Sequence, residues 1–249
     1  WRYSSEFNWR SPGLDLNDIG FMQMADLLEQ ETEVSYFVTK PVSIFRSYSF
    51  AVHQSNNWDY GANYLYSGLF LTSKLDFLNR WMVSPSLHYR NEGYDNRILR
   101  GGPAMLLPAL WEGSLDFHTD MARKFILSLN ASTEAARNDS YTNSNLQATV
   151  TVIPYNALRL SASLNYSENM DNLQYVDTKV LNTGTKYILA HLNQKTLGAT
   201  FRIDYNISPE ISIQYYGSPF ASVGKYSRLK EVTNPRADAY TDRFKLLNT

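Results

Sequence analysis

Apolar and polar side chains alternate with period two along most of this chain, as they do in strands that present one face to an apolar environment. Trp1, Tyr3, Phe7 and Trp9 share one face of the opening segment, opposite Arg2, Ser4, Glu6, Asn8 and Arg10. The apolar row returns at Val42, Ile44, Tyr48, Phe50 and Val52, and at Trp81, Val83, Leu87 and Tyr89. It returns again at Phe125, Leu127, Leu129 and Ala131, and at Leu146, Ala148, Val150 and Val152. Two further rows are Leu158 to Tyr166, opposite Arg159, Ser161, Ser163 and Asn165, and Leu197 to Tyr205, opposite Thr200, Arg202 and Asp204. Helical spacing fits none of these runs; a short loop helix is predicted only over Phe21–Leu28.

The connections alternate as well. Short turns are predicted near Lys40–Pro41, Lys74–Asn79, Met121–Arg123, Pro154–Asn156 and Ser208–Glu210. Longer polar or Gly-rich connections are predicted at Ser11–Gln30, Asn91–Leu107, Ala135–Asn145 and Ser167–Thr185, with one short exception at Ser55–Asp59. Tight turns at one end and long loops at the other are how outer-membrane barrels are built, and a strand of about ten residues tilted by about 45° spans about 23–25 Å. The expected fold is therefore all-β, a transmembrane antiparallel β-barrel of outer-membrane type, read as a single domain over residues 1–249. About eleven strands are counted, and an odd number does not close a typical bacterial barrel, so the chain is expected to be an incomplete portion of a larger one. Residues 218–249 read as a long loop or truncated end. The chain opens on Trp1 inside an alternating segment, without an initiator Met, which reads as a mature or partial fragment.

Composition sharpens the choice between a membrane barrel and a soluble β-sandwich or lipocalin-like barrel. Charged residues are 19% of the chain and aromatics 14%, and the polar rows are mostly Ser, Thr, Asn, Gln and Gly rather than the Lys and Glu of a water-facing sheet. A net charge of −1 gives no footprint for nucleic acid. No apolar run reaches the length of a membrane helix. There is no Cys, which removes disulfides, zinc-thiolate sites and a thiol nucleophile. Trp1, Trp9, Trp58, Trp81 and Trp111 fall close to predicted strand ends, where amphipathic rings settle at a bilayer interface.

Several strings go beyond pattern: Ser11-Pro12-Gly13-Leu14-Asp15-Leu16-Asn17-Asp18-Ile19-Gly20-Phe21, Leu99-Arg100-Gly101-Gly102-Pro103, Ile213-Gln214-Tyr215-Tyr216-Gly217-Ser218-Pro219-Phe220, Gly224-Lys225-Tyr226-Ser227 and Val232-Thr233-Asn234-Pro235-Arg236-Ala237. In this order they resemble the C-terminal barrel of a Bacteroidota outer-membrane family, domain-of-unknown-function family 5916. That resemblance implies an outer-membrane location, further strands beyond such a segment, and an upstream sandwich similar to family-nine carbohydrate-binding modules.

Candidate chemistry is sparse. Asp15 and Asp18 could offer oxygen ligands to a cation, but the spacing is not that of an EF-hand and loop Asp usually caps a turn. Arg100-Gly101-Gly102 lacks the Lys-Ser/Thr ending of a phosphate loop; the plainer reading is a tight outer-loop turn whose Arg lines a pore or meets a carboxylate. His53, His88, His118 and His191 lie on separate strands without metal-ligand spacing, His88 and His118 on polar rows. Glu112, Asp116 and Asp120 share one strand face, but neighbours four residues apart on a strand are about 13 Å apart, too far for a glycosidase pair. No nucleophile elbow occurs, and no catalytic constellation, cofactor or metal is expected. Sugar stacking by an outer-loop aromatic such as Trp58 or Tyr94 is the weaker alternative use of the loops.

The expected function is a non-enzymatic outer-membrane barrel acting as a pore, transport accessory or assembly component. The lumen-facing candidates are Glu112, Asp116, His118, Arg159, Arg202 and Asp204, and the loop-motif candidates are Asp15, Asp18, Arg100, Gly101, Gly102, Asn234 and Arg236. The alternative is the membrane anchor of a surface carbohydrate-binding or glycan-processing protein. Expected partners are outer-membrane lipid and, beyond it, a glycan or another outer-membrane protein, with no nucleic acid.

Overall fold

Strands joined by short connections pair with their sequence neighbours, and here they build one antiparallel sheet. The protein, seen as a computed structural model, is described over residues 1–16, 24–182 and 184–247. Among these the main sheet holds 13 strands, and no α-helix occurs. It begins with β1 (Arg2–Arg10), β2 (Leu27–Val38), β3 (Phe45–Trp58), β4 (Tyr64–Phe77) and β5 (Met82–Arg90). A small hairpin, β6 (Gly93–Asp95) with β7 (Met105–Leu107), interrupts the path outside the sheet. The sheet resumes with β8 (Leu110–His118), β9 (Phe125–Ala136), β10 (Tyr141–Tyr155), β11 (Leu158–Leu181) and β12 (Gly184–Ser208). β13 (Ile211–Gly217) and β14 (Phe220–Val232) pair with successive stretches of β12, so they are two halves of one edge strand. Pro219, which has no N–H to give the ladder, sits at the break. β15 (Phe244–Leu246) adds a short outer pairing to β14.

The all-β antiparallel expectation holds, but barrel closure is absent among the described residues. β1 pairs only with β2, and the order runs from β1 to the β13–β14 edge without returning. Several predicted loops are strand. Ser55–Trp58 ends β3, and the turn falls at 59–63; Lys74–Phe77 ends β4. The predicted connection Ala135–Asn145 shrinks to a single 3-10 turn, Arg137–Asp139, and Ser167–Thr185 is mostly the continuing hairpin of β11 and β12. Within 218–249, expected as loop, lie β14 and β15. Polar residues on both faces, as at Ser55–Asn57 and Ser167–Asn169, hide such extensions from a period-two reading, whereas Lys74–Phe77 keeps the alternation up to its turn. Leu27 and Leu28 begin β2 rather than ending a helix, residues 24–26 before them bend without helical turns, and the start of that prediction, with residues 17–23, lies outside the described residues.

Register carries each apolar row across the sheet. Tyr3, Val34, Val52, Leu71 and Leu87 are successive cross-strand partners from β1 to β5. Pro85, Leu115, Ala131, Leu146, Tyr166, Leu197 and Ala221 continue the same face from β5 to β14. These side chains are not buried: Phe125, Leu146, Leu164 and Leu197 are 53–60% exposed. About ten strands at about 4.8 Å spacing and about 20 Å of height make an apolar face of about 1,000 Å², well above the largest patch of an ordinary soluble monomer. Aromatic rings mark both borders. Trp1–Tyr36, Tyr36–Tyr48, Phe45–Phe77, Trp81–Phe117 and Tyr155–Tyr205 meet at the short-turn end. Phe7–Trp9, Trp58–Tyr64 and Tyr89–Trp111 meet toward the other end. On β3 the ten steps from Tyr48 to Trp58 rise about 33 Å along the strand, or about 23 Å along the normal at a tilt of about 45°. One polar island interrupts the face, where Gln30 bonds Thr32 at 2.8 Å and accepts from Asn56 at 3.0 Å, satisfying one another.

The compact apolar core lies elsewhere, beyond the loop-end rings. Leu99 and Met105 from the β5–β8 connection pack with Leu173 of β11 and Leu189 of β12. Val232 at the end of β14, with Tyr240 and Phe244 from the segment after it, closes the cluster.

Candidate functional site

The opposite face of the sheet is polar and internally hydrogen-bonded. Ser86 and Ser114 hydroxyls meet at 2.7 Å, Thr149 and Ser163 at 2.8 Å, and Thr151 and Ser161 at 3.0 Å. Short hydroxyl and amide side chains satisfy each other across strands here without a counter-layer, as a crowded wet surface requires. Register aligns one row of larger groups: Glu33, His53, Phe70, His88, Glu112 and Glu134, from β2 to β9. The Phe70 ring stacks on His88 at 3.7 Å and tilts against His53 at 5.1 Å. Each imidazole meets a carboxylate, His53 with Glu31 at 3.5 Å and His88 with Glu112 at 3.4 Å. This belt was not legible from the sequence, because Phe70 breaks the polar row and its neighbours are remote in the chain.

At the loop end the polar face is roofed. The β5–β8 connection lies over a cavity of about 560 Å³, with Arg90, Arg97 and Arg100 among its walls and Glu134 and Asp171 beside them. The Arg100 guanidinium sits 4.5 Å from the centre of the Tyr175 ring, and Arg97 pairs with Asp95 at 3.3 Å. Asp171 lies beyond the loop-end rings; burial raises its pKa, against a donated Leu173 N–H and the charge of Lys230. Roof and far edge are tied by Arg243, whose side chain is fully buried. It donates to the carbonyls of Ala237 (2.7 Å), Leu106 (3.0 Å) and Asp238 (2.9 Å) and to Glu92 Oε1 (2.7 Å). The Leu106 N–H donates to the Pro235 carbonyl at 2.9 Å, and Arg236 stands over the Tyr94 ring at 5.6 Å.

The family described as Domain of unknown function (DUF5916) matches residues 1–241. The chain belongs to this family. No curated protein and no solved structure matches it. In this DUF5916 chain two of the strings singled out in the sequence meet in the roof, though more than a hundred residues separate them. Arg100 and Gly101 have φ of 48° and 95°, and a Cβ on Gly102 would lie 2.6 Å from the Tyr187 ring, so the second glycine is there for close packing. Of the two uses expected for Arg100, lining a pore or meeting a carboxylate, no ion pair forms among the described residues, and its guanidinium faces the Tyr175 ring. Asn234 closes a turn by accepting from the Ala237 N–H at 3.1 Å. Asp15 is exposed in the β1–β2 connection, and Asp18 lies outside the described residues.

Of the six strand candidates in the DUF5916 sheet, all lie on the polar face but in two groups, with β9 and β10 between them. On β8, Glu112 holds His88, Asp116 accepts from Asn130, and the His118 ring meets the Thr119 carbonyl at 3.0 Å. On β11 and β12, Arg159 is the cross-strand partner of Asp204, and Asp204 pairs with Arg202 at 3.2 Å. Among the described residues no three His, Asp or Glu side chains are arranged to hold a metal ion.

Proposed function

We propose that this chain forms the wall of an outer-membrane β-barrel that acts as a non-enzymatic pore or transport component, its mouth roofed by the Arg243-tied segments. The single observation that supports the reading is the sheet-wide apolar face, exposed and bordered by two rows of aromatic rings. In water such a face would cost about 25 cal/mol for each Å² left uncovered; against lipid it is the ordinary surface. The free edges of β1 and of β13–β14 cannot face hydrocarbon unpaired, so in the membrane they pair with further antiparallel strands. The polar face then lines the lumen, with the Glu112–His88–Phe70–His53 belt across it and the roofed cavity at the loop-side mouth.

Planar-bilayer recording of the purified protein tests this. Removing residues 96–104 from the roof is expected to raise conductance or open probability while leaving strand content in circular dichroism unchanged. A protein that stays in the aqueous phase without detergent and adds no conductance in either form would overturn the proposal.

A further inference from the structure

The short-turn end carries a charge pattern that neither the lumen wall nor the roof uses. Lys40, Arg80, Arg123 and Lys124 lie in its connections, against Asp120 and Glu210. Asp120 is already engaged: it accepts the Ala122 N–H at 2.9 Å and pairs with Nε of Arg123 at 3.3 Å. Lys124 reaches a neutral acceptor, the Pro154 carbonyl, at 3.2 Å. Lys40 and Arg80 form no ion pair among the described residues.

Arg80 stands where its side chain is not the natural choice. The β4–β5 turn closes with the Arg80 N–H donating to the Phe77 carbonyl at 2.9 Å and the Trp81 N–H to Asn79 Oδ1 at 3.0 Å. Within it Arg80 has a φ of 63°, the left-handed region that Gly adopts freely and a long side chain does not. Its side chain lines a cavity of about 340 Å³ between this turn and the β8–β9 turn, with Leu78 and Asn79 beside it and Asp120, Ala122 and Arg123 across.

The surroundings of that cavity are amphiphilic. Leu78 and Met121, one in each turn, are both 57% exposed. Trp81, edge-on to Phe117 at 5.6 Å, begins the apolar row of β5 at the next residue. An occupant of this rim meets guanidinium groups at the turns and apolar side chains immediately inward. A free anion would leave the apolar part uncovered, whereas an acidic phospholipid covers both, and on the reading of the apolar face as lipid-facing it is already the neighbour here. The inference rests on that reading.

We propose that the short-turn rim selects anionic phospholipid, seating a headgroup phosphate between Arg80 and Arg123 with acyl chains along Leu78, Trp81 and the apolar row of β5. Arginine meets phosphate with paired N–H donors. Each basic residue close to an anionic lipid surface strengthens binding by a factor of about five.

The test uses the whole chain in detergent micelles, titrated with phosphatidylglycerol or phosphatidylcholine of the same acyl chains, with bound lipid counted by native mass spectrometry. Phosphatidylglycerol is expected to bind about 25-fold more tightly. Arg80→Gly suits the left-handed turn and removes the guanidinium; it should cut that preference about fivefold without lowering the melting temperature. Arg123→Gln should cut it similarly, and Lys179→Gln, at the far tip of the β11–β12 hairpin, should leave it unchanged. Inorganic phosphate should displace phosphatidylglycerol no better than sodium chloride at equal ionic strength; specific displacement would make this a free-anion site and overturn the lipid assignment. Equal binding of the two lipids by a chain that enters vesicles, or a parental preference in Arg80→Gly, overturns the site alone. A chain that takes up neither lipid and stays in water without detergent overturns the membrane reading with it.

Discussion

Replacing Leu164 with Lys asks the sheet what touches its apolar face. Leu164 lies midway along the apolar row of β11, is 60% exposed, and stands between Ala148 of β10 and Ala199 of β12. It has so little protein around it that in water the substitution would be nearly neutral, within about 0.5 kcal/mol. Against the middle of a bilayer, a Lys on the outer face of a barrel costs about 2–4 kcal/mol. That is roughly a 30- to 800-fold loss in the folding equilibrium, at about 1.4 kcal/mol per factor of ten. Ser163, one residue away on the polar face, is the control: Ser163→Lys gives up the hydroxyl contact with Thr149 but keeps its charge in water, and should cost about 1 kcal/mol or less. Reversible urea unfolding from phospholipid vesicles measures both. Equal, small effects of Leu164→Lys and Ser163→Lys would refute the assignment of the two faces.

Other consequences follow from the roof and the belt. Arg243→Met removes a buried guanidinium with its bonds to three carbonyls and to the half-exposed Glu92; a loss of about 2–3 kcal/mol in roof stability is expected, read as faster protease cleavage within 91–109, whereas unchanged cleavage would contradict the tie. Gly102→Ala places a methyl 2.6 Å from the Tyr187 ring and should cost about 1–3 kcal/mol in the same assay. Glu112→Gln removes a carboxylate from the polar row beside His88, and should move the reversal potential in a KCl gradient toward less cation preference with strand content unchanged.

The strands were legible where one face is apolar and the other polar, because period two then survives any neighbour. The Leu158–Tyr166 and Leu197–Tyr205 rows appear in β11 and β12 with the faces read from sequence. Past the Trp111 level the same strands run on with polar residues on both sides, as at Ser167–Asn169, and the signal vanishes although the hydrogen-bond ladder continues. β14 was hidden for a related reason: Pro219 and the bulge at Arg228 both shift its register. The roof was the least legible part. Leu99, Met105, Leu173 and Leu189 form one core from segments far apart, and nothing local in Arg243 announces four partners. Of the site residues, the polar-face assignment of Glu112, Asp116, His118, Arg159, Arg202 and Asp204 came from parity alone. Their partners depend on cross-strand register, which parity does not fix.

The most direct measurement exploits the absence of cysteine. Single substitutions from Leu158→Cys through Tyr166→Cys, each carrying a nitroxide in lipid vesicles, report collision with oxygen, which concentrates in hydrocarbon, and with a water-soluble nickel chelate. The account predicts a strict two-residue alternation, oxygen-accessible at Leu158, Leu160, Ala162, Leu164 and Tyr166 and nickel-accessible at Arg159, Ser161, Ser163 and Asn165. Nickel reaching Leu160, Ala162 and Leu164 as readily as Ser161 and Ser163 would contradict it.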